Sequence, residues 1–167
     1  LRTAGFGVFF GTNHSQNYSK SILGPHQTAQ RGEVAAMHHV ICKIAWAPTE
    51  IISDSEMAVD ILKELLRGNT VRVKEHADLW EHIERAIIAR REGGDPDYFR
   101  CKWVPAHTQK DTVGAAISET NYFLNQGADA LAVEAALAIG RPAVVNVSVD
   151  PDALYSFRRD SFKHRGG

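Results

Sequence analysis

Apolar and polar positions along the chain predict several short strands. The apolar run Gly5–Gly11 predicts one strand, and a polar turn joins it to a second strand over Tyr18–Leu23, as in a hairpin. Branched and aromatic residues predict two more strands, over Glu50–Ser53 and Tyr98–Val104. A last strand-like run covers Ala143–Val149.

Four longer segments repeat apolar residues at spacings of three and four, which predicts helices. These segments are Thr28–Ala45, Met57–Leu66, Glu75–Arg91 and Glu119–Ile139. Within the second and third helices, the residues expected to face the core are Met57, Ile61, Leu65, Leu79, Ile83 and Ile87. Strands that come first and then alternate with helices favour an α/β fold, with helices packed on a mixed sheet. In such sheets, ligands bind at the carboxyl ends of strands.

Composition agrees with one globular domain that buries a proper core. Of the 167 residues, 44% are hydrophobic and 23% are charged. The net charge of −1 excludes a general basic field, so nucleic-acid binding would need a local patch. Lys74, Arg85, Arg90 and Arg91 are candidates for such a patch, although charges on a helix usually form only a solvated face.

Other features of the sequence bear on compartment and completeness. Cys42 and Cys101 lie far apart without metal-ligand spacing, which favours a reduced, intracellular protein. The sequence contains no apolar run long enough to span a membrane. The first ten residues are too short and too glycine-rich for a signal peptide. Because the chain begins with Leu1 in mid-pattern, we expect a fragment or a processed product.

Glu33 and Asp54 each have a structural and a chemical interpretation. Glu33 lies on the apolar stripe of its own helix, where a carboxylate is costly unless a partner satisfies it. Alternatively, Glu33 is a first-turn acid that faces the helix dipole. Asp54 follows a predicted strand, where it could bind a metal ion. A helix cap explains it equally well, because Ser53 and Glu56 fit a capping box and Asp54 or Ser55 could also cap.

Asp129 and His107 are weaker candidates when each is taken alone. Small residues surround Asp129 and would allow another surface to approach closely, but an isolated helix acid is usually solvated. His107 follows the predicted strand Tyr98–Val104 and enters a loop, where a single histidine usually has no function. The remaining histidines form no ligand pattern, and the adjacent His38 and His39 cannot share a helix face.

Five short segments follow one another in a specific order. They are Ala4–Val8, Gln27–Ala36, Ser53–Ser55, Trp103–Thr108 and Asn125–Ala132. Each is weak alone. Together, in this order and spacing over residues 4 to 135, they resemble the type 1 ribonuclease H family, particularly the cellular enzymes of eukaryotes.

The resemblance implies a nuclease that cuts the RNA strand of RNA–DNA hybrids by two-metal-ion catalysis. In this family four carboxylates hold two Mg²⁺ ions, with Mn²⁺ as an alternative, at the rim of the sheet. Glu33, Asp54 and Asp129 occupy three of those positions. His107 matches a loop histidine that assists proton transfer or product release. Hard oxygen ligands of this kind suit Mg²⁺ better than histidine or cysteine does.

The resemblance also implies residues that touch the hybrid. Gln30 would read the minor groove, and Thr28 would help to hold a DNA phosphate. His26 stands where an arginine is common in the family. Thr28 is equally expected as the N-cap of the helix that follows it.

The chain departs from the family at its start. The family carries its first acid on a first, central strand, whereas no Asp or Glu precedes Glu33 here. We therefore expect that this strand is missing, that its two neighbours expose their edges, and that these 167 residues are inactive or very weak. Residues 1–140 form the predicted ribonuclease H-like domain, and residues 141–167 a C-terminal extension. Ala143–Val149 could fill the vacant place, but an extra edge strand or a loose tail is the favoured interpretation.

The leading hypothesis is a monomeric endonuclease for RNA–DNA hybrids that has no membrane partner. A second hypothesis is a non-catalytic module, binding nucleic acid or protein, on the same fold. A third is a ribonuclease H domain cut from a retroelement polyprotein. The sequence upstream of Leu1 would separate these hypotheses.

Overall fold

The computed structural model describes residues 3–44, 48–96, 98–105 and 119–137. In chain order, its strands and helices are β1 (Gly5–Val8), β2 (Tyr18–Ser21), α1 (Ala29–His39), β3 (Thr49–Ser53), α2 (Glu56–Leu66), α3 (Ala77–Glu92), β4 (Phe99–Trp103) and α4 (Glu119–Leu137). A π-helical turn, Val40–Ile44, continues α1. Each described element lies where the sequence predicts one. The predicted strand Ala143–Val149, the domain boundary at residue 140 and His107 lie outside the described residues.

The four strands form two separate pairs. β1 and β2 are antiparallel, with Gly5 opposite Ser21, whereas β3 and β4 are parallel, with Thr49 opposite Phe99. In the described part of the chain, these pairs form two two-stranded sheets instead of one continuous sheet. The α/β class is confirmed, and so is the presence of both kinds of strand pairing.

Thr28 determines where α1 begins. Its backbone is extended, and its Oγ1 accepts a hydrogen bond from the Arg31 N–H at 3.1 Å, which satisfies one of the unpaired donors of the first turn. The N-cap interpretation of Thr28 is therefore confirmed. At the other end, the π-helical turn widens the last predicted turn of this helix up to Ile44.

The two adjacent histidines of α1 point to different partners, as their spacing predicts. The His38 ring lies 5.5 Å from the His82 ring of α3. The His39 ring stacks on Tyr18 of β2 with 4.0 Å between ring centres. His39 therefore ties α1 to the first sheet, and His38 ties it to α3.

The buried faces of α2 and α3 differ slightly from the predicted ones. The residues that α2 buries are Ala58, Val59, Leu62 and Leu65, and those that α3 buries are Trp80, Ile83 and Ile87. The prediction that Met57 faces the core is wrong, because its side chain is 49% exposed; Ile61 and Leu79 are half-buried. α2 therefore buries Val59 and leaves Met57 exposed, and α3 buries Trp80 more fully than Leu79.

α1 and α4 cover opposite faces of β1. Gly5 and Gly7 project to one face, where a Cβ on either residue would overlap the carbonyl oxygen of Ala132 or Ala128 in α4. Phe6 projects to the other face, where its ring lies 6.1 Å from the His39 ring of α1. Two glycines at strand spacing thus let α4 pack directly on the backbone of β1.

Two of the four basic residues considered for a nucleic-acid patch, Arg90 and Arg91, contact other elements of the protein. Arg91 donates to the carbonyl oxygens of Leu65 and Leu66 in α2 at 3.4 and 2.6 Å. The Arg90 guanidinium lies 4.0 Å from the centre of the Tyr98 ring. These contacts join α3 to its neighbours. None of the helices in the described ranges is long and apolar enough to cross a membrane.

Candidate functional site

A cavity of about 540 Å³ lies between β1 and β3. The residues of Gly5–Phe10 and of Thr49–Ser55 line it without a gap along each segment. Successive side chains of a strand point to opposite faces, so an uninterrupted lining means that the strand edges border the cavity. The rest of the lining comes from α1 and α4, with Val40 of the π-helical turn and Met57 of α2. Glu33, Asp54 and Asp129 all line this cavity, so the fold brings the three predicted acids to one place.

Glu33 enters the cavity from α1 and is held by a serine of β3. The buried Ser53 hydroxyl donates to Glu33 Oε2 at 3.0 Å and accepts from the Ser55 N–H at 3.2 Å. Burial raises the pKa of Glu33 to about 7, and the charge of Asp54 adds to the rise, while the bond from Ser53 opposes it. Glu33 lies beyond the first turn of α1, so its interpretation as a first-turn acid is wrong.

Asp54 lies where β3 ends and the cavity opens. Ser55 is the N-cap of α2, as one of the alternatives expected, but its side chain makes no capping hydrogen bond, and the capping box that would begin at Ser53 is wrong. The Trp103 indole N–H donates to the Asp54 carbonyl oxygen at 3.2 Å, which fixes the backbone at the strand exit. The local sequence therefore places a carboxylate at the carboxyl end of a strand, the usual ligand position in an α/β sheet.

Asp129 reaches the same cavity from α4 and is not a solvated helix acid. Burial raises its pKa to about 8, and the charges of Asp54 and Glu33 add to the rise. Its helix neighbour Ala128 lies against Gly7, so the close packing of α4 on β1 is what brings Asp129 to the cavity. The small residues around Asp129 have the role that the sequence suggested, because they allow close approach.

The donor chemistry at this cavity fits a hard divalent cation. Three carboxylates share one partly apolar space, and the pKa values of two of them are raised partly by mutual repulsion, which a bound cation would offset. Within the described ranges, no three His, Cys, Asp or Glu side chains already form a cluster that could hold a metal ion. The carboxylates thus share a cavity and an electrostatic field without forming a closed cage.

The residues expected to touch the hybrid lie around the start of α1. Gln30 lines the cavity, and its side-chain amide nitrogen lies 3.3 Å from the Met57 sulfur. Thr28 is exposed and caps the helix, and His26 is also exposed. The structure thus places one of the three, Gln30, on the cavity itself.

The contacts of two residues beside the acids were not predicted from the sequence. Ser53 was considered only as part of a capping box and of the segment Ser53–Ser55, although it bonds Glu33, and Trp103 was considered only as part of the segment Trp103–Thr108. The sequence did contain one indication that Ser53 supports an acid, because it is a small polar residue directly before Asp54 at the end of a strand. Nothing in the sequence indicates the contact of Trp103 with the Asp54 carbonyl, which depends on the parallel register of β3 and β4.

These elements define a ribonuclease H-like α/β fold, with acids at a strand end between helices that cover both faces. Comparison with protein families supports this class, since the family model described as RNase H matches residues 1–137. The chain therefore belongs to the RNase H family. The structure titled "Solution structure of PFV RNase H domain" is similar, with a TM-score of 0.53 and 22% identity over 81% of this chain and 82% of that chain. No curated protein matches the sequence.

Proposed function

We propose that this chain is an endonuclease that hydrolyses the RNA strand of RNA–DNA hybrids with Mg²⁺, or Mn²⁺, bound by Glu33, Asp54 and Asp129. Membership of the RNase H family supports hybrid hydrolysis at the family level. The observation that carries the assignment to these residues is their meeting in one cavity, although they come from α1, the end of β3 and α4.

Each residue of the cavity has a separate task in this proposal. Ser53 holds the Glu33 carboxylate, and the Trp103 indole holds the backbone that carries Asp54. Asp129 supplies charge from the opposite face of the sheet. Bound Mg²⁺ would stabilise charge on the phosphate and lower the pKa of a water molecule. The apolar walls of the cavity lower the local dielectric, which strengthens the attraction between these carboxylates and a cation.

The proposed substrate contacts follow the start of α1. Gln30 lies on the cavity and would contact the minor groove of the hybrid, where the 2′-hydroxyl distinguishes RNA from DNA. The exposed Thr28 and His26 would lie near the backbone of the DNA strand. A role for His107 in proton transfer or product release stays a prediction, because that residue lies outside the described ranges.

The 167 residues supply three of the four carboxylates that the family resemblance implies. No Asp or Glu precedes Glu33, so we expect these residues alone to cleave very weakly. The same absence favours a second candidate, a non-catalytic module that binds nucleic acid or protein on this fold. The two candidates differ in whether a hybrid bound by the chain is cut when Mg²⁺ or Mn²⁺ is added.

Single-turnover cleavage of a labelled RNA–DNA hybrid, with protein in excess and with Mg²⁺ or Mn²⁺, tests the proposal. We expect slow cleavage of the RNA strand that is abolished by Asp54→Asn and retained by Glu134→Gln, a matched change of an exposed acid on α4. A DNA duplex of the same sequence should stay intact. Equal cleavage by the wild type and Asp54→Asn would show that the site assignment is wrong, and rapid cleavage would overturn the expected weakness.

A further inference from the structure

Two histidine rings meet where α1 packs on α3. The ring centres of His38 and His82 lie 5.5 Å apart, with their planes at 41°. Within the described residues, the ring nitrogens of both histidines have no hydrogen-bond partner. His38 is half-buried and His82 is exposed, so solvent reaches this contact. Neither residue lines the cavity of the three acids, so the contact is separate from that site.

A cysteine lies beside the same contact. The Cys42 thiol donates to the His82 carbonyl oxygen at a sulfur–oxygen distance of 3.7 Å, so its side chain points toward α3. Cys42 follows His38 by one helical turn, and residues at this spacing lie on one face of a helix. The turn that carries Cys42 is π-helical, a rare form that often occurs at functional sites. Two imidazole rings and one thiol thus converge from two helices.

We propose that His38, Cys42 and His82 bind a borderline transition-metal ion, best suited by Zn²⁺, which joins α1 to α3. A zinc–nitrogen distance of about 2.1 Å puts each ring centre about 3.3 Å from the ion, so two tetrahedrally arranged rings have centres roughly 5.3 Å apart. The observed separation agrees with this geometry. Imidazole and thiolate ligands favour Zn²⁺ over Mg²⁺, whereas carboxylates suit Mg²⁺. This inference does not depend on the proposed nuclease activity.

The thiol must move to complete this site. In the part of the chain that the structure describes, no three such side chains are already placed to hold an ion, and Cys42 Sγ bonds the His82 carbonyl oxygen instead. Rotation of Cys42 about its Cα–Cβ bond, between staggered positions, would turn the sulfur from this oxygen toward the rings. Asp78 lies one turn before His82 but forms a two-bond pair with Arg31, so water would complete the coordination.

The protonation of His38 favours an ion at this contact. Burial lowers the pKa of His38, and the charge of His82 adds to the fall. Lys43 acts in the same direction, whereas Asp78 opposes it. His38 is therefore neutral near pH 7, which is the form that binds a metal ion. Burial raises the pKa of the Cys42 thiol, so this thiol would release its proton to water only when the ion binds.

Titration of the full, reduced and untagged chain with Co²⁺, followed by absorption spectroscopy, tests this proposal. Co²⁺ occupies tetrahedral zinc sites, and its spectrum reports the ligands. We expect the intense visible bands of tetrahedral Co²⁺ and a near-ultraviolet band from thiolate-to-cobalt charge transfer. Added Zn²⁺ should displace the Co²⁺ and remove both. Co²⁺ bound by the carboxylates alone would instead have the weak bands of six-coordinate cobalt, so the two sites are distinguishable.

Variants assign the ligands. His38→Gln and His82→Gln should each weaken Co²⁺ binding by about tenfold or more, and Cys42→Ser should remove the charge-transfer band. His14→Gln, at an exposed histidine between β1 and β2, and Cys101→Ser, at the other described cysteine, are matched controls that should keep the wild-type spectrum. Because His82 is exposed, His82→Gln should keep the wild-type stability in EDTA, which separates loss of the ion from loss of the fold.

Four results would overturn the proposal in whole or in part. Only weak six-coordinate bands in the wild type would show that no such site forms. Equal Co²⁺ binding by the wild type and His82→Gln would exclude the histidine pair. A charge-transfer band that survives Cys42→Ser but is lost in Cys101→Ser would place the ion at β4. Visible bands that depend on both histidines, without any charge-transfer band, would remove Cys42 from the site.

Discussion

Replacing Asp129 with Asn should stabilise the metal-free protein, and the gain should grow with pH. The pKa of Asp129 is about 8 in the folded protein, against an ordinary value of 3.8, because the carboxyl is buried beside Asp54 and Glu33. The folded state therefore binds more protons than the unfolded state between these values, and its stability falls as pH rises from about 4 to about 8. Asn carries no charge, so the variant should escape this loss.

The magnitude follows from the shift in pKa. Each unit corresponds to about 1.4 kcal/mol, so the raised pKa of Asp129 lowers the stability of the folded state by roughly 4 kcal/mol at pH 7, where the carboxyl is still mostly protonated, and by roughly 6 kcal/mol well above pH 8. A gain of about 2 kcal/mol at pH 8, which corresponds to a rise in pKa of roughly 1.5, is the smallest that we expect for a carboxyl buried beside two other acids. Such a gain is a large part of the stability of an ordinary domain.

Urea unfolding in EDTA, followed by tryptophan fluorescence, measures this free energy. Curves for the wild type and Asp129→Asn at pH 4, 6 and 8 should coincide at the lowest pH and separate as pH rises. Glu134→Gln makes the same kind of change at an exposed position of α4 and should follow the wild type throughout. If Asp129→Asn is no more stable than the wild type at pH 8, the carboxylate does not lie in the desolvated, acidic cavity described above.

Three other predictions concern single contacts. Ser53→Ala should lower the free energy of unfolding by roughly 1–2 kcal/mol and weaken Mn²⁺ binding, because Glu33 loses its hydroxyl partner. Ser53→Thr keeps the hydroxyl and should restore both properties. Equal behaviour of the two variants would show that Ser53 does not support the site. Gly7→Ala should lower the free energy of unfolding in urea by roughly 3 kcal/mol, since the added Cβ would overlap α4. Gly11→Ala, which has open space around it but a positive φ, should lower it by about 1 kcal/mol. Similar losses in the two variants would contradict the close packing of α4 on β1. Asp78→Asn should cost less than about 1 kcal/mol at pH 7, because this exposed acid forms a two-bond pair with an arginine of α1. The Arg31 partner lowers the pKa of Asp78 to about 2, so the loss of stability in Asp78→Asn should be present above pH 4 and vanish as pH falls through about 2. Glu81→Gln, whose ion pair is longer and exposed, is the control. A loss of stability that persists below pH 2 would refute the pairing.

The sequence predicts the local elements well because local rules determine them. Thr28 caps α1, the glycines between strands and helices mark their ends, and apolar spacing identifies all four helices. The rotation of α2 that exposes Met57 could not be predicted, since it depends on which side chains α2 meets in the folded protein. Helical spacing is compatible with a shift of one position in either direction.

The candidate site shows the same division between local and long-range information. Glu33, Asp54 and Asp129 were named from the family resemblance, while the residues alone left a structural alternative open for each. Only folding decides between these alternatives, because Ser53 meets Glu33 across 20 residues and Trp103 meets Asp54 across 49. The gap between β1 and β3 likewise depends on tertiary packing. The sequence indicated this gap only indirectly, because the family resemblance implies a central strand and an acid that these residues lack.

In the proposed function, three carboxylates act together as the ligands of a divalent cation. Titration of the full chain with Mn²⁺, with free Mn²⁺ counted by electron paramagnetic resonance, tests this most directly. We predict that Glu33→Gln, Asp54→Asn and Asp129→Asn each weaken Mn²⁺ binding by about tenfold or more, while Glu134→Gln leaves it unchanged. Equal Mn²⁺ affinity of the wild type and all three site variants would contradict the account.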